Sequence, residues 1–300
     1  MTLYAAIGAL EQGLVYGIMV LGVYLTFRVL DFPDLTVDGS LPLGAAVSAV
    51  AITHGINPFL ALVLAAVAGF LAGMVTALLN TKLQILHLLA SILTMIALYS
   101  INIRIMDGPN ISLLGVDTVL DPIMASGLPG YLAAPALYAG FILAVTVALI
   151  WFLHTELGQA MLATGDNPQM ITSQGVNTHT VILLGVGLSN AMVAFSGALV
   201  AQNQGAADVN MGVGTIIAGL ASVIVGETVF GQGGVVRACI AVVCGSVLYR
   251  LAIALALGLK LGSFAITPSD LNLITAVLVV LALMVPKIKA RFKGWRVTAG

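Results

Sequence analysis

Charged residues are scarce in this sequence: they make up 8% of its 300 residues, whereas 60% are hydrophobic. This balance lies outside the range of soluble globular domains and excludes a water-soluble fold. The sequence also lacks the clustered lysines and arginines typical of nucleic-acid-binding surfaces, so nucleic acid is not expected as a partner. The composition predicts an integral membrane protein that is surrounded by lipid.

Patterns that carry catalytic or metal-binding chemistry are missing as well. Cys239 and Cys244 lie five positions apart in one apolar run, a spacing that suits neither a disulfide nor a metal site. The four histidines show no metal-ligand spacing. The patterns G-x-S-x-G, H-E-x-x-H and the P-loop GxxxxGK[ST] do not occur. We therefore expect no enzyme activity, no metal, no bound cofactor and no ATP hydrolysis by this chain itself.

Long apolar runs are abundant. A helix that crosses a bilayer needs about 20 mainly apolar residues. The sequence predicts an all-α polytopic transmembrane bundle of about nine spans, in a single domain covering residues 1–300. The second and seventh spans are short, which predicts broken or half-spanning helices there. The nine spans are 5–27, 40–53, 59–79, 83–105, 131–153, 181–201, 215–229, 235–257 and 271–285.

The basic residues predict the orientation in the membrane. Short cytoplasmic loops retain lysine and arginine, and translocated loops are depleted of them. Residues 286–300 carry five basic side chains, which predicts a cytoplasmic C-terminal tail in the inner membrane of the cell. Counting back through nine spans places Arg28, Lys82 and Arg237 inside, and Arg104 and Lys260 outside.

The loop between the fifth and sixth spans carries helix-capping signals. Asp166 and Asn167 are candidate N-caps, Pro168 suits a first helical position, and Gly175 suits a left-handed stop. This pattern predicts a short helix over 168–174 that lies parallel to the membrane. From spacing alone, a solvated loop with a single helical turn is an equal alternative.

Three stretches in chain order resemble the permease superfamily of ATP-binding-cassette (ABC) importers that includes the ribose and branched-chain amino-acid systems. Residues 157–177 resemble its cytoplasmic coupling segment. Residues 34–40, DLTVDGS, resemble its D-L-S-V-G-S element, and 221–226, ASVIVG, with the glycines of 231–234, resemble its A-x-V-x-L-G-G element. Within the superfamily, residues 89–108 look most like the permeases of tryptophan and tyrosine importers.

The resemblance implies a permease domain that imports a small polar solute, an aromatic or branched-chain amino acid, by alternating access. It implies three protein partners: a cytosolic ATP-binding subunit that uses the ATP, a second permease subunit forming a homodimer, and an extracytoplasmic solute-binding protein. Segment 158–177 would couple the permease to the ATPase. The framework of that contact would be Gly158, Ala163, Gly165, Asp166, Asn167, Pro168 and Gly175.

The sequence departs from the superfamily pattern at three positions. Gln159 stands where arginine is frequent, so a charge-assisted contact to the ATPase is not available there. Asp38 is an insertion in the D-L-S-V-G-S element. Glu227, after Gly226, replaces the second glycine of a tight turn, which predicts either a gating or salt-bridging carboxylate or a hydrated loop residue.

Polar residues inside apolar spans are candidates for the solute path, because they tend to face protein or water-filled cavities. Ser91, Thr94 and Asn102 fall on one arc of the fourth span, and Ser189 and Ser196 recur after seven residues in the sixth. The same stripes are equally typical of helix packing seams.

Asp34 and Asp38 lie between Pro33 and Pro42, which we expect to interrupt a helix near the solute path. The alternative for these aspartates is an ordinary cytoplasmic turn in which an aspartate is the N-cap. A secondary transporter or channel is the rival function for the whole chain. It would share the hydropathy, but the sequence shows neither a repeated half nor mid-span charges suited to ion coupling.

Overall fold

A computed structural model describes residues 3–124, 130–231, 233–258, 260–261 and 264–265, with positions 277, 280 and 284 beyond them. Apart from those three positions, the predicted ninth span (271–285) and the basic tail (286–300) lie outside the described residues. Six helices in the described part are long and apolar enough to cross a membrane. The prediction of an all-α polytopic bundle is therefore confirmed. The predicted number of about nine spans is approximate.

The described residues form eleven α-helices. Their bounds are α1 (Leu3–Tyr24), α2 (Val37–Thr53), α3 (Pro58–Thr81), α4 (His87–Met106), α5 (Asp121–Met124), α6 (Gly130–Leu153), α7 (Glu156–Asp166), α8 (Pro168–Ser173), α9 (Thr178–Gln204), α10 (Thr215–Phe230) and α11 (Val235–Gly258). A π-helical turn, Leu25–Val29, continues α1. Strands β1 (Asn110–Ser112) and β2 (Ala206–Asp208) pair antiparallel, as do β3 (Lys260–Leu261) and β4 (Phe264–Ala265).

Helix α9 forms the centre of the bundle and packs against α1, α2 and α3. Its hydroxyl side chains bond to the backbone of α1, because Ser189 Oγ donates to the Gly22 carbonyl over 2.7 Å and Ser196 Oγ to the Val15 carbonyl over 2.8 Å. Against α2 the contact is closer still: a Cβ atom added to Gly44 would lie 1.9 Å from the carbonyl oxygen of Ala194. Small residues thus allow backbone contact where side chains would separate the helices.

Helices α2 and α10 are shorter than the six candidate membrane spans. They contain 17 and 16 residues, fewer than the roughly 20 that a full span needs. Helix α2 begins beside the middle of α9, where Ser40 bonds to Asn190, and continues toward the C-terminal end of α9, where Ser48 bonds to Gln202. The predicted short second span thus corresponds to a helix that begins in the interior of the bundle.

Helix α10 starts at the same depth in the bundle as α2 and runs in the opposite direction. It begins beside Asp38, at the start of α2, and near its C-terminal end Glu227 meets Arg28 at the end of α1. The two half-helices therefore start together in the interior of the bundle and leave toward opposite membrane surfaces.

Candidate functional site

Asp38 joins the two half-helices. It lies in the first turn of α2, and its carboxylate accepts three hydrogen bonds from the start of α10: Ile216 N at 2.8 Å, Thr215 Oγ1 at 3.0 Å and Gly214 N at 3.1 Å. The first N–H groups of a helix have no intrahelical partner, and the helix dipole favours a negative charge there. The Asp38 side chain therefore does the work of an N-cap for α10. The residues that it caps lie 176 to 178 positions further along the chain.

A cavity of about 370 Å³ adjoins this junction. Its wall is mostly apolar, and the polar side chains on it include Asp38 and Asn102. The lining residues come from α2, from α4 and from the segment that precedes α10: Asp38, Gly39, Pro42, Met95, Ile96, Tyr99, Asn102, Val209 and Val213.

Asn102 holds a buried amide against this cavity. Its Nδ2 donates to the Gly39 carbonyl over 3.2 Å, which fixes α4 against the first turn of α2. Its Oδ1 is buried and has no hydrogen-bond partner among the described residues. A buried acceptor without a donor is uncommon in native structures, so this atom is a candidate contact for a ligand.

Asp34 has a structural role outside the cavity. It is fully buried, and its carboxylate accepts from Thr36 N over 2.9 Å and from Asn190 Nδ2 over 2.7 Å. Asn190 Oδ1 in turn accepts from Ser40 Oγ over 2.7 Å. This network holds the non-helical segment before α2 against the middle of α9, where its polar backbone has no water to bind.

Of the predicted solute-path residues in the described part of the chain, only Asp38 and Asn102 line the cavity. Ser91 and Thr94 are buried and bond to carbonyls of their own helix. Ser189 and Ser196 form the seam between α9 and α1. For these four side chains the geometry matches the packing alternative.

The prediction that Pro42 interrupts a helix is wrong. Pro33 does precede α2, but Pro42 lies inside it. A proline has no N–H to donate to the carbonyl four residues earlier, which is that of Asp38. The helix continues because the lost bond lies in its first turns, beside the junction with α10.

The loop between the predicted fifth and sixth spans folds into two helices rather than one. Helix α8 ends one residue earlier than predicted, and the Asn167 side chain caps it by accepting from Gln169 N and Met170 N over 3.1 and 3.0 Å. Gly175 has the predicted left-handed backbone, with φ of +90°. The expectation that Asp166 is a cap is wrong, since it is the last residue of α7. Helix α7 was not predicted from the sequence.

Helix α8 presents an exposed surface. Its side chains are exposed except for Ile171, which packs inward and is 7% exposed.

Two glycines bring helix α7 into close contact with neighbouring backbone. A Cβ atom at Gly158 would lie 2.3 Å from the Phe152 carbonyl oxygen, and one at Gly165 would lie 2.0 Å from the Val29 carbonyl oxygen. Since Val29 ends the π-helical turn, α7 rests directly on the backbone at the end of α1.

The π-helical turn also contacts α10, through an ion pair between Arg28 and Glu227. The Arg28 side chain is 46% exposed and that of Glu227 is 13% exposed. The expected tight turn at Gly226 and Glu227 is wrong, because both residues lie within α10. Gly226 instead allows close contact with α11, as a Cβ atom there would lie 2.1 Å from the Ala241 carbonyl oxygen.

The candidate residues named from the sequence do not include the apolar wall of the cavity, such as Ile96, Tyr99 and Val213. In an apolar span such residues have the same pattern as lipid-facing ones, so the sequence contains no signal that separates them. Arg250 is a charged residue inside the predicted eighth span, 235–257. In the structure, the Arg250 guanidinium lies 3.8 Å from the centre of the Tyr16 ring, a cation–π contact.

The described residues contain no candidate metal site, because no group of three or more histidine, cysteine, aspartate or glutamate side chains among them could hold an ion.

The sequence of the chain matches the model of one protein family. The family described as the permease component of branched-chain amino acid transport systems matches residues 5–286. The chain belongs to this family.

Two individual relatives are similar to this chain over most of its length. The tyrosine transport system permease protein of Clostridioides difficile (strain R20291) is 38% identical over 274 residues, covering 91% of this chain and 88% of that protein. An uncharacterized protein of Rickettsia prowazekii (strain Madrid E) is 37% identical over 191 residues, covering 64% of this chain and 65% of that protein.

A solved structure supports the fold alone. PsaBC from Streptococcus pneumoniae in complex with Fab matches with a TM-score of 0.50 and 16% sequence identity, covering 94% of this permease and 91% of that chain.

Proposed function

We propose that this permease is one of two identical membrane subunits of an ATP-driven importer of amino acids, with an aromatic amino acid such as tyrosine as its solute. The observation that carries the proposal is the 38% identity to a tyrosine transport system permease over 91% of the chain. The subunit itself catalyses no reaction. A cytosolic ATPase uses the ATP, and an extracytoplasmic binding protein delivers the solute.

The docking element for the ATPase is α8, together with the exposed face of α7. Helix α8 is short, capped at both ends and exposed on most of its surface, so it offers a rigid body of defined shape. Because Gly165 brings α7 into backbone contact with Val29, a displacement of α7 moves the end of α1 with it.

Movement at α1 reaches the solute path through α10. The Arg28–Glu227 ion pair links the π-helical turn to the cytoplasmic part of α10, and Asp38 caps the other end of the same helix beside the cavity. A rigid shift of α10 would therefore change both the cytoplasmic end of the bundle and the junction of the half-helices, as alternating access requires.

The same contacts support the predicted orientation in the membrane. Arg28, Lys82 and Arg237 lie at the helix ends nearest α7 and α8, and Arg104 lies at the opposite end of α4. The basic tail at 286–300 adds further positive charge. By the positive-inside rule, this distribution of basic residues supports a cytoplasmic location for α7, α8 and the C-terminal tail.

Co-expression of the permease with its ATPase and its binding protein tests the proposal. We expect a complex with two permease and two ATPase subunits by native mass spectrometry, and ATP-dependent uptake of labelled L-tyrosine by proteoliposomes. Unlabelled L-phenylalanine should compete more strongly than L-glutamate. A complex with a single permease subunit would refute the homodimer, and uptake insensitive to every amino acid offered would refute the substrate class.

A further inference from the structure

We propose that the cavity at the half-helix junction binds the amino acid during its passage through the permease. The ammonium group of the solute lies between Asp38 and Asn102, and its apolar side chain packs on the wall formed by α4 and residues 209–213. This inference rests on the proposed function, since it takes an amino acid to be the solute.

The charge on the cavity wall points to a cationic group. Asp38 accepts three hydrogen bonds, whereas an ionised carboxylate has about four acceptor sites. Among the described residues that line the cavity there is no lysine or arginine. The carboxylate therefore has acceptor capacity left, and a solute ammonium would supply the missing positive charge.

Asn102 supplies the second acceptor. Its side chain is buried and tied to Gly39 through Nδ2, so the amide cannot turn away without breaking that bond. Its Oδ1 has no partner among the described residues. An ammonium group has three N–H donors in a tetrahedral arrangement, so it can bond to both Asp38 and Asn102 at once.

The remaining wall suits a large apolar side chain. It is built by Met95, Ile96, Tyr99, Val209 and Val213. The Tyr99 ring is half-exposed and offers an aromatic surface for stacking. The volume of about 370 Å³ falls in the range of roughly 300–1,000 Å³ that is common for small-molecule sites. A solute with a charged side chain would find no complementary group on this wall.

The position of the cavity links occupancy to gating. Its polar end is the residue that joins α2 to α10, so a shift of α10 between two states changes the hydrogen bonds of Asp38 and the walls next to it. A ligand with different affinity for the two states shifts the balance between them. A solute that binds at this site would therefore favour the shift of α10 that its transport requires.

Competition on the wild-type chain tests the ammonium contact without any substitution. The probe is labelled L-tyrosine, bound to the purified full-length permease in the absence of the binding protein. We expect tyramine, which keeps the amine and lacks the carboxylate, to compete. We expect 3-(4-hydroxyphenyl)propionate, which lacks the amine, to compete at least tenfold more weakly. Equal competition by the two compounds, or no tyrosine binding at all, would overturn the proposal.

Two variants of one helix test the location. Ile96→Trp places a larger side chain in the cavity and should weaken L-tyrosine binding at least tenfold. Leu93→Trp is the matched control, because Leu93 lies one turn earlier on α4, is similarly exposed and does not line the cavity. Asn102→Leu, which removes the free acceptor, should weaken binding of tyramine as much as that of L-tyrosine.

The outcomes separate this inference from the proposed function. If the wild-type importer takes up L-tyrosine with ATP but Ile96→Trp binds and transports it like Leu93→Trp, the cavity is not the site and the importer assignment stands. If the wild-type complex transports no amino acid, the proposed function fails, and the inference fails with it.

Discussion

Removal of the Asp38 carboxylate should destabilise the bundle by detaching the start of α10. In Asp38→Ala, the N–H groups of Gly214 and Ile216 lose their acceptor. The Thr215 hydroxyl loses less, because it also donates to the Gly212 carbonyl over 2.9 Å. The effect should therefore come mainly from two backbone groups in the interior of the protein.

The expected loss is about 2–4 kcal/mol of unfolding free energy. A buried donor left without a partner costs about 1–3 kcal/mol, and two donors are affected. Relief of the desolvation of the half-buried carboxylate offsets part of that cost. The result should still exceed the loss of one exposed helix cap, which costs about 0.5–2 kcal/mol.

Reversible unfolding in mixed detergent and SDS micelles, followed by far-UV circular dichroism, measures this difference. Asp208→Ala is the matched control: Asp208 accepts from Asn210 N over 2.7 Å in an exposed turn after β2. Water can replace that bond, so we expect a loss below about 1 kcal/mol. Equal losses in the two variants would refute the claim that Asp38 joins the half-helices.

Three further sets of substitutions test coupling and packing. Gly165→Ala places a methyl group against the carbonyl oxygen that ends the π-helical turn, and it should reduce the solute transported per ATP hydrolysed at least threefold; an unchanged ratio in proteoliposomes would contradict the coupling contact. Arg28→Glu and Glu227→Arg should each slow uptake, and the double variant should recover at least half of the wild-type rate; equal rates in single and double variants would exclude a functional ion pair. Gly44→Ala should lower the free energy of unfolding in SDS by more than the typical cost of overpacking, about 1–3 kcal/mol, because the added methyl group meets the backbone of Ala194. Gly140→Ala on α6 is the control and should change stability little, since no atom of the described residues lies within 4 Å of its Cβ position.

Much of the fold could be predicted because hydropathy and chain length carry it. Eight of the nine predicted spans coincide with helices in the described residues, and the two short ones are the half-helices α2 and α10. Helix α8 could be predicted as well, because Asn167, Pro168 and Gly175 are local capping signals. These features depend on short-range physics that a single sequence displays.

The cavity at the half-helix junction could be predicted only in part, through Asp38 and Asn102, because its shape depends on contacts between distant segments. The cap that Asp38 provides joins residues 38 and 216, and no local sequence pattern predicts this contact. Glu227 was recognised as unusual, but its partner Arg28 lies 199 positions away. Helix α7 was missed because two glycines in eleven residues lower helix propensity, while tertiary contact with Val29 requires one of them.

Uptake of labelled L-tyrosine under two driving forces tests the central claim most directly. Proteoliposomes that contain the permease, its ATPase and its binding protein should accumulate tyrosine when ATP is present on the ATPase side. An imposed proton or sodium gradient without ATP should produce no accumulation. Gradient-driven accumulation by the permease alone would identify a secondary transporter, and passive equilibration would identify a channel; either result would contradict the assignment.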